Sequence, residues 1–185
     1  MSVSIIKTKD RKPYRQQYYA LEEKYFAQDS DNFAMGQYKS WSESPFFFCN
    51  LGINADDKVA SYTALLFTHK DTYAELLAGK LKEHQVTPFT PGEQGQPYLY
   101  WPSLIVENRQ HGPYLIKSVF REIEEVCKAW ELSISHVYSI AFTKVSERLM
   151  KRYFFTQAGL YQGKYPIMIS KVSENPYLRA FLPQF

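Results

Sequence analysis

One amphipathic helix separates two apolar runs in the second half of this chain, and that arrangement limits the possible folds more than any other feature. Tyr98 to Val106 reads as a strand. Leu115, Ile116, Val119, Phe120, Ile123, Val126, Cys127 and Trp130 then recur at three-and-four spacing, which places them on one helical face. Ile134 to Thr143 is apolar in both alternating sets, as in a strand covered on two faces. A helical crossover between two strands, if they are neighbours in one sheet, requires the pair to be parallel. An α/β domain is therefore predicted.

Pro102 falls in the middle of the first of these strands. Proline cannot donate to a ladder and is tolerated mainly at bulges or edges, so a bulge or a splay is predicted there. The strand is followed by the polar turn Glu107-Asn108-Arg109-Gln110-His111-Gly112-Pro113. A turn of this kind at a helix start can present unpaired backbone N–H groups to a phosphate. The same residues also suit the plain task of starting a helix, since proline is common in the first turn.

The rest of the chain supplies further strands and helices. Val3 to Thr8 predicts a first strand, and a helix starts at Pro13, carries Tyr14, Tyr18, Leu21 and Tyr25 on one face, and ends near Gln28. Asp29 to Ser44, with Trp41 embedded, reads as a loop or short helix. Pro45 to Leu51 and Val59 to Thr68 form a predicted hairpin across the turn residues Gly52, Asn54, Asp56 and Asp57. Asp71 is the predicted cap of a helix through Tyr73, Leu76, Leu77, Lys80 and Leu81, followed by a Pro88 to Pro97 loop. Ser146 is the predicted cap of the last helix, with Leu149, Met150, Tyr153 and Phe154 inward and Gly159 as its stop. Tyr165 to Val172 is a closing strand. No repeat and no Pro/Gly/Ser-rich linker divides the chain, so residues 1–185 read as a single domain.

Composition excludes several classes of function. With 45% hydrophobic and 22% charged residues the chain is globular rather than disordered or fibrous. A net charge of +3 is too small to argue for a nucleic-acid partner, and the basic group Lys144, Arg148, Lys151 and Arg152 reads as a solvated helix face. Cys49 and Cys127 each lie in apolar context and read as buried thiols in a reducing compartment. No signal-peptide h-region and no membrane-length apolar run is visible, so a soluble, cytoplasmic protein is expected. The histidines and cysteines show no metal-ligand spacing, so no metal is expected. An aromatic share of 17% suits either a core or a site for flat ligands.

The order of elements and the residues of the turn resemble the GNAT superfamily of acyl-CoA N-acyltransferases. That family's turn reads Gln or Arg, two residues, Gly, one residue, Gly or Ala, two residues, then Leu-Leu. With Gly112 as the second glycine, Leu115 and Ile116 fall on the leucine pair, Gln110 on the first glycine and Glu107 on the Gln or Arg. With Arg109 and Gly112 on the first two fixed positions instead, Tyr114 stands where Gly or Ala belongs, and Lys117 and Ser118 fall on the leucines. The first register agrees with the apolar helix face and is preferred. Phe154 to Leu160 is similar to the family's Leu-Tyr-x-x-x-Gly-Phe ending of the last helix, with Phe155 where many members carry a tyrosine that protonates the departing thiolate. Tyr177 to Leu182 is then a candidate for one of the family's closing strands.

The resemblance implies a mixed central sheet flanked by helices, with a splayed pair of strands forming an acyl-CoA cleft near Pro102. It implies a pantetheine paired to the backbone at Leu104, Ile105 and Val106, as a ligand added to a strand edge. The pyrophosphate is then expected on N–H groups of Gln110, His111, Gly112, Tyr114 and Leu115, with a charge-assisted contact from Arg109. The implied reaction moves an acyl group from acetyl-CoA, or another acyl-CoA, directly to a small-molecule or peptide amine. Direct transfer needs a neutral amine and hence a general base. Glu107 is the acidic residue nearest the strand end, with His111 and His136 next. Because a phenyl ring has no proton to give, Tyr153 and Tyr161 are the candidates for protonating the thiolate. The bland alternatives are a solvated turn carboxylate for Glu107, a core residue for His136, and packing for Tyr98 and Tyr100, which otherwise line the acceptor pocket. The alternative function is a non-catalytic CoA-binding or protein-interaction module of the same fold.

Overall fold

The computed structural model describes residues 4–26, 41–90, 92 and 95–182. The expected strand start at Val3, the helix end near Gln28, most of the Asp29 to Ser44 stretch and part of the Pro88 to Pro97 loop lie outside the described residues. The strands are β1 (Ser4–Ile6), β2 (Phe47–Ile53), β3 (Val59–Thr68), β4 (Tyr98–Val106), β5 (His136–Ile140), β6 (Thr156–Tyr161) and β7 (Tyr165–Lys171). They form one sheet in the order β1-β2-β3-β4-β5-β7-β6. Only β4 and β5 are parallel; every other neighbouring pair is antiparallel. The parallel pair is the one joined by the long helix, as the crossover argument requires.

The helices are α1 (Arg15–Phe26), α2 (Lys70–Leu77), α3 (His111–Trp130), α4 (Lys144–Arg152) and the short α5 (Pro176–Arg179). No described helix is long and apolar enough to cross a membrane. The stripe read from the sequence is the buried face of α3 for most of its length, with Leu115, Val119, Phe120, Ile123 and Cys127 in the core; Trp130, expected at its end, is half-exposed where the helix stops. Each large side chain buried there contributes about 1.5–3 kcal/mol of transfer free energy. Cys49 and Cys127 are both free and buried, and burial pushes their thiols up to about 12.

Three local expectations are corrected. Asp71 does not cap α2; His69 occupies that place, and Asp71 stands inside the first turn, where its charge favours the helix dipole. The cap of α4 is Thr143, whose Oγ1 accepts the Ser146 N–H at 3.0 Å while Ser146 Oγ accepts the Thr143 N–H at 3.1 Å. Ser146 is thus the third residue of a capping box rather than its start. The end of the last helix also differs. It stops at Arg152, Phe154 takes a positive φ of 63°, and the stretch expected to finish the helix is strand β6. Leu149, Tyr153 and Phe154, expected inward, are exposed. Gly159 is no helix stop: it sits in β6 under Leu77, whose Cδ1 would stand 2.5 Å from an added Cβ. The two closing strands are therefore β6 and β7, and Tyr177 lies in α5.

The aromatic residues divide by layer. On the face covered by α1 and α2 the buried rings are Tyr18, Trp41, Phe47, Tyr62, Tyr98, Tyr100, Tyr138, Tyr161 and Tyr165. On the face covered by α3 they are Phe46, Phe48, Phe67, Phe89, Phe120 and Phe155, with no tyrosine among the described residues. The buried rings of the α3 side are phenylalanines, whereas those of the other side are mostly tyrosines.

Gly52 of β2 lies directly beneath the buried imidazole of His111, whose Nδ1 would stand 2.5 Å from an added Cβ. A Gly52→Ala substitution should therefore cost about 1–3 kcal/mol in urea unfolding, the range for overpacking. Gly159→Ala should cost clearly less, because half-exposed Leu77 can swing away.

Candidate active site

The site begins where two strands part. β4 and β5 pair only at Leu99↔Val137 and Tyr100↔Tyr138. Beyond that point β4 continues to Val106 in register with β3 alone, through Ser103, Leu104, Ile105 and Val106. The break coincides with a bulge. Leu66 faces Tyr100 and Ala64 faces Ser103, so Trp101 and Pro102 share the rung opposite Leu65. The predicted bulge at Pro102 is present. Past it, alternate residues of β4 turn their N–H and C=O groups toward the gap.

The turn after β4 is organised by Asn108. Its Oδ1 accepts the Gln110 N–H at 3.1 Å, and its backbone carbonyl accepts the His111 N–H at 2.9 Å. The Gln110 carbonyl, at the helix cap, takes the first intrahelical bond, and Leu115 lies a full turn inside the helix. Of the donors expected to meet a phosphate, Gly112 is thus the first-turn N–H without an intrahelical acceptor, and Pro113 has none to offer. The His111 side chain is only 2% exposed. Its Nδ1 lies 3.3 Å from Ser61 Oγ and its Nε2 3.2 Å from Asn108 Nδ2, and burial lowers its pKa, so it is a neutral strut holding α3 to the sheet. Arg109, Gln110 and Tyr114 are exposed on the rim, Gly112 is half-buried, and Leu115 is buried in the core.

The three expected catalytic residues are not brought together. The Glu107 carboxylate accepts Lys24 Nζ at 2.5 Å and the Tyr25 hydroxyl at 3.0 Å. The Lys24 contact holds it below the usual carboxylate range, so this acid is a weak proton acceptor that ties the end of α1 to the end of β4. Tyr153 is 38% exposed and stacks edge-on against Tyr177, 5.3 Å away. Its carbonyl accepts from Asn175 beside Ser170, which pairs with Val137 near the start of β5. Tyr161 lies at the other end, in the rung with Tyr165 next to the end of β5. It is buried, burial raises its pKa, and its hydroxyl accepts the Glu83 backbone N–H at 2.8 Å. His136 is half-buried at the start of β5 and stacks on Tyr98, 4.8 Å away.

Two buried carboxylates escaped the sequence argument. Glu83, in a three-ten turn before β4, accepts the Tyr100 hydroxyl at 2.5 Å, and Glu22 of α1 accepts the Ser103 hydroxyl at 2.7 Å. They are 7% and 2% exposed. Burial pushes Glu83 up to about 8, opposed by the Tyr100 bond and reinforced by the charge of Glu22. In a regular strand Tyr100 and Ser103 would face opposite sides. The bulge puts them on the same side, since their β3 partners Leu66 and Ala64 are two residues apart. Tyr100 also stacks on Tyr138 at 4.8 Å, and Tyr138 Oη lies 2.9 Å from Thr68 Oγ1. The one sequence signal was Glu22, four residues after Tyr18 on the buried face of α1; Glu83 carried none.

No family model matches the chain, and no curated protein matches it. Solved structures do. NAA60 of Arabidopsis thaliana, in complex with acetyl-CoA, aligns with a TM-score of 0.57 and 10% identity over 93% of this chain and 99% of that one. A GNAT-family acetyltransferase from Staphylococcus aureus Mu50 gives 0.57 and 10% over 92% and 99%. An aminoglycoside 6'-acetyltransferase type Ii gives 0.53 and 9% over 92% and 97%. The fold is that of the GNAT acetyltransferases. The mixed sheet and the parted strands expected from the resemblance are those observed. Among the described residues, no group of three or more His, Cys, Asp and Glu is placed to hold a metal ion.

In this GNAT fold Glu83 generates a prediction for stability. Its folded pKa of about 8 lies above its ordinary 4.5, so the folded state holds a proton that the unfolded state releases between those values. The contribution of Glu83 to stability should be full below pH 4.5, fall as pH rises toward 8, and then level. Urea unfolding across this range should show that decline in the unaltered protein and a flatter profile in Glu83→Gln.

Proposed function

We propose that this protein is an N-acyltransferase that moves an acyl group, most simply acetyl, from acyl-CoA to an amine by direct transfer. The observation that carries this reading is the parting of β4 from β5 beside the Gly112 turn, in a fold shared with NAA60, which was solved in complex with acetyl-CoA. The freed edge at Leu104, Ile105 and Val106 offers backbone partners to the amide groups of a pantetheine arm. The Gly112 N–H and the start of α3 favour the pyrophosphate, and exposed Arg109 adds charge. Gln110 and His111 contribute once Asn108 releases their N–H groups; Tyr114 and Leu115, whose N–H groups point into the helix, act through its dipole.

Gly112 itself supports this. An added Cβ would meet only Val106 side-chain atoms, Cγ1 at 3.7 Å being the nearer, and the residue has no positive φ. Neither backbone conformation nor packing demands glycine there. Close approach of a ligand to the backbone supplies the reason. Tyr161, protonated and beside Glu83, is the better placed of the two tyrosines to give a proton to the departing thiolate. Glu107 secures the rim, and Tyr153 serves the surface around α5. The acceptor is a small-molecule or peptide amine; an aminoglycoside acetyltransferase and a complex of NAA60 with a bisubstrate analogue are among the similar structures.

Calorimetric titration with CoA and acetyl-CoA tests the cofactor. Saturable binding is expected, and its absence at millimolar ligand removes the reading. Gly112→Trp should abolish binding while leaving the melting temperature within a few degrees of the unaltered protein. Binding without thiol release on a broad amine panel would instead favour a CoA-binding module without chemistry.

A further inference from the structure

We propose that the cavity between the Lys7 to Arg11 segment, the start of β2 and the second half of α3 binds a small zwitterion, a free α-amino acid with an apolar side chain. This site lies on β2, two places from β4 in the sheet, and the inference does not rest on the acyl-transfer reading.

The cavity exists because β1 is short. Its ladder with β2 ends at Ile6↔Leu51, and the chain then turns away through the three-ten turn Thr8–Asp10. The edge of β2 from Phe47 to Asn50 is left without a strand on that side. Side chains tie the walls together in its place. Thr8 Oγ1 accepts the Cys49 N–H at 2.9 Å and donates to Asn50 Oδ1 at 3.2 Å, and Asn50 Nδ2 donates to Ser118 Oγ of α3 at 3.0 Å. Ser118, Glu122 and Glu125 follow one another at four- and three-residue spacing on one helix face, so the bond that fixes Ser118 turns both glutamates toward this edge. The enclosed space is about 330 Å³ and is lined by both glutamates and by Lys7, Lys9 and Arg11. That volume is at the small end of the range for ligand sites, about 300–1,000 Å³, which suits an amino acid better than a nucleotide.

Two features say what enters. Glu122 Oε1 is buried and has no hydrogen-bond partner among the described residues. A buried carboxylate oxygen left so is costly until a donor arrives, and an ammonium is the donor that also answers its charge. Across the cavity, the Arg11 guanidinium is held by the Thr8 and Ser42 carbonyls, at 2.5 and 3.3 Å, with its centre 5.2 Å from the Phe47 ring centroid. These contacts fix it without neutralising it. Among the described residues no carboxylate pairs with Arg11, Lys7 or Lys9.

Opposite charges therefore line one space without meeting. A lone anion there would lie against Glu122 and Glu125, and a lone cation against Lys7, Lys9 and Arg11. A molecule with an ammonium at one end and a carboxylate at the other satisfies both walls, its carboxylate on the guanidinium fork. Phe48 and Val126, which also line the cavity, leave an apolar surface for its side chain.

Calorimetric titration of the full chain with L-leucine tests the site. Saturable binding is expected, with 3-methylbutylamine and 4-methylpentanoate, which each lack one of leucine's charged groups, weaker by about tenfold or more. Glu122→Gln should weaken leucine by about tenfold and leave 4-methylpentanoate unchanged, a split that a merely structural glutamate would not produce. Acetyl-CoA and leucine should bind at the same time.

No binding at millimolar leucine overturns the proposal. So do analogues that bind as tightly as leucine, a Glu122→Gln protein that binds leucine as the unaltered one does, or mutually exclusive binding of leucine and acetyl-CoA, each of which puts the amino acid elsewhere. If Glu122→Gln does not fold, the two analogues decide.

Discussion

A proline in an interior strand takes one donor out of a hydrogen-bonded ladder, and the strand must bulge or yield its neighbour. Here β4 does both. Trp101 and Pro102 occupy one rung against β3, and the ladder to β5 ends one residue earlier, at Tyr100. Two consequences follow from that single interruption. The β5 side of Leu104, Ile105 and Val106 is left as an open edge, and the side-chain phase of β4 shifts so that Tyr100 and Ser103 look the same way. The backbone edge left unpaired by β5 and the wall bearing two buried carboxylates therefore share one cause. Neither exists on a regular strand.

The two kinds of carboxylate at the site show how burial chooses a role. Glu107 sits at the rim, where water and Lys24 both favour its charge, and the ion pair keeps it ionised. At such exposure an ion pair contributes about 0–1 kcal/mol, enough to orient an element but a minor share of the fold's stability. Glu83 sits inside a layer of tyrosines, where desolvation outweighs the hydroxyl bond from Tyr100 and the proton is retained to higher pH. The carboxylate nearest in sequence to the cleft strand thus loses its proton readily, and one from a turn before that strand keeps its proton to higher pH. Sequence distance to a site says little about which environment a side chain enters.

This explains what was legible. The β4–α3–β5 unit was readable because each of its parts has its own local signature: alternation, a proline that a ladder cannot absorb, and a sustained three-and-four stripe. The hairpin of β2 and β3 was readable for similar reasons. The end of the chain was not. Phe154 to Leu160 mixes polar and apolar residues without a clean period, because β6 is an edge strand with one side in solvent, and the resemblance pulled it toward a helix ending. Ser146 and Thr143 both satisfy the chemistry of a cap, and only the hydrogen-bond pattern separates them. Glu83 was invisible, and Glu22 showed only its place on the buried face of α1, because their contacts, to Tyr100 and Ser103, span 17 and 81 residues and depend on a phase shift that no periodicity records.

The aromatic excess, which composition alone could not assign, resolves once the layers are separated. Phenylalanine fills the α3 side, where Phe155 lies 4% exposed, and tyrosine fills the α1 side. A core needs volume and shape, and phenylalanine supplies both without a polar group to satisfy. Seven buried tyrosines on one face require seven hydroxyls to find partners in low dielectric, a recurrent cost that packing alone would have selected against. They lie beside the two buried carboxylates and the parted strands. Phe155, at the position that resembles the family's tyrosine, lies in the α3-side layer, and Glu83 joins the tyrosines of the other.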